Sequence, residues 1–212
     1  MPVIGLWAVI AATLGPIQNV LGWTISAALW PGYDPIAKTI SDLAADDSPV
    51  KWVQTGFFLF GSSLTLVAAW SAKALGKPAR ITLFLAGLAS FGFTIFATPT
   101  QTSYSDAHRL FASVAFLLFS IWPLLAIHRS KDYHWSLRPI GAISATLVMV
   151  LTTLWFLLTW LEPGQPMVGL SERVIAVMQV LWLSFVIWAQ YLHQRKKKPS
   201  AGFSLEGEEL YG

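Results

Sequence analysis

The sequence predicts an all-α protein, a polytopic transmembrane bundle of six helices with a short amphipathic helix between the first and second spans. Three observations predict it. Charged residues make up only 12% of the 212 positions, against about 25% in ordinary soluble domains, too few to cover a soluble globule. Mean hydropathy is +0.57. The charges are also segregated, leaving six charge-free runs: 1–33, 52–72, 81–105, 110–128, 139–161 and 174–194. The 55% hydrophobic content excludes disorder, the absence of Cys excludes a disulfide scaffold, and a net charge of +3 gives no sign of a nucleic-acid partner.

Each run is near or above the roughly 20 residues that carry a helix across about 30 Å of hydrocarbon. Lipid offers no hydrogen-bond partners, so such a run must satisfy its own backbone as a helix. One domain over 1–198 is expected, with spans at about 3–30, 50–72, 79–98, 108–128, 137–161 and 173–194, followed by a disordered polar tail over 199–212. The first span lacks the basic start of a signal peptide. It carries Pro16, which removes a backbone donor, and then Gln18 and Asn19, whose amides should face other helices. The starts of the later spans read as Ser48-Pro49, Pro78, Ser105 or Asp106, Ser136 and Ser171. Trp30, Trp52 and Trp160 mark one set of span ends, and Trp7, Trp70, Trp135 and Trp188 the other, as in two interfacial belts.

An even number of spans puts both termini on one side. Ten of the 14 Lys and Arg then fall on that side and four on the other. The positive-inside rule makes the first side the cytoplasm. The run Arg195–Lys198 is a topology signal at the end of span six.

The polar residues of the outer face carry what chemistry there is. Asp34-Pro35 reads as the cap and first residue of the short loop helix. Ile36, Ile40 and Leu43 lie at helical spacing, and Thr39, Ser41 and Asp42 on other faces. Asp106, His108 and Arg109 open span four, and Glu172 and Arg173 open span six. Ligand-binding candidates are therefore Asp34, Thr39, Ser41, Asp42, His108, Arg109, Glu172 and Arg173. Catalytic candidates are His108, Asp42, Asp106 and Ser41, with His108 as a general base oriented by a carboxylate. Arg109 and Arg173 suit either Glu172 or an anionic head group. Tying loops to the bundle by ion pairs is the simpler use of the same residues. A zinc site wants three or four clustered ligands, and His108 is the one outer His, so no metal is expected. His128 and His193 match in depth alone, and no cofactor is expected.

The stretch Gly32-Tyr33-Asp34-Pro35 through Thr39-Ile40-Ser41-Asp42-Leu43-Ala44 resembles the loop signature of an uncharacterised prokaryotic family, domain of unknown function 998. Trp52 to Trp70 fits its second span, Thr98-Pro99 and His108 its entry to span four, and Gly169–Arg173 its entry to span six. The resemblance covers roughly residues 5 to 195. Ala44 stands where the family often has Gly, and no Cys precedes His108. The resemblance implies the fold, the topology and the choice of polar residues, and supplies no reaction.

The expectation is a multi-pass protein of a prokaryotic plasma membrane with both termini cytoplasmic. A non-enzymatic accessory, or a subunit that binds a lipid or a partner through the outer polar cluster, ranks first. Its surroundings are the lipid bilayer, with a membrane-protein partner or a lipid ligand at the outer face. The alternative is a membrane-embedded lipid hydrolase or transferase with a His/carboxylate site. A small-solute transporter comes third, because no ionisable residue lies within a span.

Overall fold

The computed structural model describes residues 2–103 and 105–197. The tail expected over 199–212 lies outside them. Seven helices follow in order: α1 (Leu6–Ala28), α2 (Ile40–Leu43), α3 (Lys51–Ser71), α4 (Lys77–Ile95), α5 (Asp106–Leu125), α6 (Pro139–Leu161) and α7 (Val168–Lys197). All but α2 are long and apolar enough to cross a membrane, and among the described residues the only β pairing is an isolated bridge between Ile4 and Ala72. The chain is a multi-pass membrane protein.

Local chemistry sets the helix ends, and several differ from the sequence expectation. Ser105 caps α5 as expected, accepting from the His108 N–H at 3.3 Å. Pro139 takes the first position of α6, but Arg138 is the cap, and Ser136 sits in a 3-10 turn before it. Ser48 does not start α3. Its hydroxyl donates to the Leu43 carbonyl and accepts from the Val50 N–H, closing the turn after α2. Asp34 does not start the loop helix either. It accepts from the Ile36 and Ala37 N–H groups in a separate turn. The helix begins at Ile40, after a reciprocal capping box between Thr39 and Asp42. The last span starts at Val168 rather than near 173, because Ser171, Glu172 and Arg173 are buried inside its first turns. A ruler based on charge-free runs excludes residues whose charge is used within the protein.

The six spans follow one another around the bundle in chain order, and α7 closes against α1. Large apolar side chains such as Ile95, Ile140, Leu158 and Leu161 stand exposed on the outside, as lipid contact requires. At the end that holds both termini, an apolar cluster fills the ring. It includes Ala8, Leu75, Trp122, Val186 and Ile187, all fully or nearly fully buried. The chain is also tied there by backbone and amide bonds. The Gly5 N–H donates to the Ser71 carbonyl at 3.1 Å, and Gln194 accepts from the Ile4 N–H and donates to the Pro2 carbonyl. Arg80 donates to the last carbonyls of α3, those of Ala69 and Trp70, both at 2.7 Å. At the opposite end, α2 and its loop lie over the ring. Between the two ends is a central cavity of about 150 Å³, walled by α1, α3, α4, α5 and α7 and roofed by Ile40 and Ser41.

Candidate functional site

The loop over 31–50 is held onto the ring by two adjacent residues of α7. Arg173 is buried, and the two terminal nitrogens of its guanidinium bind mainly the loop, while Nε has no partner. Nη1 reaches the carbonyl oxygens of Pro35 (2.8 Å), Gly169 (2.9 Å) and Lys38 (3.0 Å). Nη2 donates to the Tyr33 hydroxyl at 2.7 Å. Tyr33 in turn donates to the Thr39 carbonyl at 2.6 Å and shares its proton with Lys38 O at 3.0 Å. Burial pushes the Tyr33 phenol well above its usual range, so it stays protonated and keeps donating. Glu172, buried beside it, accepts from the Ile40 N–H, the first amide of α2. A carboxylate at that end also complements the partial positive charge of the free amides. The Leu170 N–H donates to the Ile36 carbonyl at 3.0 Å.

This docking needs Gly169. A Cβ there would sit within hard-sphere distance of the Lys38 and Pro35 carbonyl oxygens, so only glycine lets the loop backbone approach α7 this closely.

His108 enters the same region from the first turn of α5 and is buried. Its Nδ1 faces two carbonyls, Phe93 O at 2.9 Å and Phe96 O at 3.2 Å. Carbonyls only accept, so Nδ1 carries the proton and Nε2 is the acceptor. The Ser41 hydroxyl lies 3.1 Å from Nε2 and donates to it. Ser41 and Glu172 both face the central cavity. A hydroxyl pointed at a fixed imidazole, beside a buried carboxylate, is the nucleus of the cluster.

Thr39, Ser41, Asp42, His108, Glu172 and Arg173 therefore converge, together with Tyr33. Asp42 faces the cap rather than the histidine, accepting from the Thr39 N–H at 2.7 Å. Burial raises its carboxyl above the usual range, partly offset by the two Thr39 bonds and the Lys38 charge. Asp34 and Asp106 are exposed, in a turn and at the start of α5. Arg109 places its guanidinium 4.6 Å over the Trp160 ring, at the rim. The orienter of His108 is thus a pair of backbone carbonyls, where the sequence suggested Asp42 or Asp106. Arg173 binds loop carbonyls where the sequence suggested an ion pair or a head group. On the opposite end, His128 Nε2 bonds the Ala74 carbonyl at 3.1 Å, and the His193 ring lies 6.1 Å from that of His134.

Ser41 and Glu172 also line the roof of the central cavity. Below them the cavity is lined by Gln18, Asn19 and Gln54. The amide oxygens of Asn19 and Gln54 are buried and have no hydrogen-bond partner. A buried orphan acceptor costs about 1–3 kcal/mol, and a donor brought by a bound molecule would relieve that cost. Gln54, Tyr33 and Gly169 were not singled out as site residues by sequence reasoning. For Gln54 the signal was present, since it is an amide inside a charge-free run.

A family model described as "Protein of unknown function (DUF998)" matches residues 13–189. No curated protein matches the chain, and no solved structure does.

Proposed function

The chain belongs to the DUF998 family, and from that premise we propose that it is a non-enzymatic binding protein of a prokaryotic plasma membrane. It holds a lipid or another small amphiphile in the central cavity, with the polar group of that molecule under Ser41 and Glu172. The observation that carries this reading is the pairing of a central cavity with two orphan buried amide oxygens and a carboxylate at its roof. Both termini are cytoplasmic in this proposal, supported by the ten-to-four partition of Lys and Arg. The loop end then faces outward. Native mass spectrometry of the protein released from nanodiscs tests it. A retained adduct in the wild type, lost in Ala115→Phe, which fills the cavity, is the expected result. An adduct-free wild type overturns the reading.

A second reading rests on the 3.1 Å contact between Ser41 and His108. There, Ser41 Oγ would attack a lipid ester carbonyl while His108 Nε2 takes its proton and passes it to the departing alcohol as the ester C–O bond breaks, leaving an acyl-Ser41 for water to hydrolyse. Labelling of Ser41 by a fluorophosphonate, abolished by His108→Gln, would favour this enzyme over the binding protein. The carrier reading has less support, because the cavity floor at Ala11, Ala12, Ala68 and Leu183 belongs to the apolar cluster that fills the ring.

A further inference from the structure

Most hydroxyls of the cavity wall are left as acceptors, while the side-chain amides of Gln18, Asn19 and Gln54 supply both donors and acceptors. The hydroxyls of Ser62, Thr65, Ser90 and Ser184 all line it, and each donates its proton to the carbonyl four residues back in its own helix, at 2.8–3.1 Å. Their oxygens keep only acceptor lone pairs. Gln179 spends its amide protons across the ring, on the Phe116 carbonyl (3.0 Å) and Ser120 Oγ (3.1 Å). Ser41 gives its proton to His108. The unpartnered oxygens of Asn19 and Gln54 and the Glu172 carboxylate add further acceptors. No Lys or Arg lines the cavity among the described residues. The charge of Arg173, next to the roof, is turned toward the loop carbonyls and Tyr33.

The apolar part of the wall includes six aromatic residues, Trp23, Phe57, Phe58, Phe93, Phe116 and Phe119, beside aliphatic ones such as Leu64 and Val180. Aromatic faces attract cations through the ring quadrupole, most strongly when the cation is desolvated. Acceptors, one carboxylate and aromatic faces form a complementary lining for a cation that carries its own apolar surface. An anion would meet a carboxylate and no Lys or Arg in the lining, with only neutral amide N–H groups of Gln18, Asn19 and Gln54 to receive it.

We propose that the cavity binds an organic ammonium group, free or as the head group of a lipid. This rests on the reading of the cavity as the binding site and adds the chemical class of its ligand. An apolar cavity of about 150 Å³ accommodates a benzene-sized molecule, a scale that suits a choline-sized head.

The test uses the full-length protein. Choline and its neutral carbon isostere, 3,3-dimethylbutan-1-ol, are titrated by calorimetry. In parallel, nanodiscs of mixed phosphatidylethanolamine and phosphatidylglycerol are analysed by native mass spectrometry. Saturable choline binding at least about tenfold tighter than the alcohol supports a free ammonium. Enrichment of phosphatidylethanolamine over phosphatidylglycerol supports an ammonium head group. Glu172→Gln should weaken either, but it also disturbs the docking of α2. Gln54→Leu and Phe58→Leu lie away from that contact and should weaken binding severalfold without lowering the thermal midpoint of the ligand-free protein in the Gln54 case. Equal or tighter binding of the alcohol, or retention of phosphatidylglycerol without discrimination, overturns the ammonium assignment and leaves the cavity a binding site. No choline binding together with no retained lipid removes both.

Discussion

At the termini end, Trp122, Leu75 and Ile187 fill the ring by shape alone, and the Trp122 indole N–H is buried without a partner. At the loop end, Arg173, Glu172, Tyr33 and His108 fill a comparable space with hydrogen bonds to backbone atoms of the 31–50 loop and of α4. The non-helical backbone of the termini end is closed by its own bonds, such as the Gly5 N–H to the Ser71 carbonyl, and by side chains such as Gln194 and Arg80, so dispersion and fit suffice to fill the ring itself. The loop end must satisfy more irregular backbone at the edge of the hydrocarbon, and buried side chains do much of it, beside backbone bonds such as that from the Leu170 N–H to the Ile36 carbonyl. Buried charge in this protein, Glu172 and Arg173, therefore sits under the long non-helical segment over 31–50. The cavity lies where the two regimes meet.

Five substitutions or conditions would sharpen the contrast. Trp122→Ala should have the largest effect, lowering stability by about 3–5 kcal/mol through the void it leaves, read as thermal unfolding in detergent. A loss under 1 kcal/mol would mean that the apolar end repacks freely. Gly169→Ala should cost about 3 kcal/mol, since its new methyl meets two carbonyls. Its signature is local, as rapid protease cleavage within 31–50 while the spans stay folded. Arg173→Lys should cost about 2 kcal/mol, because one ammonium cannot serve the carbonyls and Tyr33 together. An unchanged cleavage pattern would show that the loop is held by Glu172 and Leu170 instead.

Thr39→Ala should cost about 1 kcal/mol by removing the cap of α2, measured by hydrogen exchange at the Asp42 amide. The smallest effect concerns pH. The Asp42 carboxyl is raised above its usual value near 3.8 by burial. The folded state therefore favours the protonated form. Its contribution is fully present below that value and is lost as pH rises through the higher folded value. Loop protection in the wild type should decline slightly across that window, and in Asp42→Asn it should not. The opposite slope would mean that the Thr39 bonds outweigh burial.

The spans and their up-and-down order were legible because lipid enforces a simple rule on long apolar runs. The ring was not, since a helix apolar on every side does not declare which face meets which neighbour. Gln18 and Asn19 stood out by depth, and they line the cavity as polar residues at that depth should. The loop was misread at Asp34-Pro35 because its local chemistry does suit a helix start. The Pro35 and Lys38 carbonyls are instead claimed by Arg173, a partner 138 residues away from Pro35 in sequence. The same long-range contact hid the true start of α7. His108 was legible as the one histidine at that end, and the carbonyls that orient it were not, because backbone groups leave no mark in a sequence.

The long separation between the loop and its anchors sets an order of events during biosynthesis. At about 5–20 residues per second, the ribosome takes about 7–30 s to travel from Pro35 to Arg173. Through that interval the Pro35 and Ile36 carbonyls lack the partners that the last helix gives them in the folded protein. The last helix delivers Glu172, Arg173 and Gly169 together, within its first turns. Arrival of that helix closes the ring and latches the segment in one step, so a chain truncated before residue 168 should insert its spans and leave the segment open.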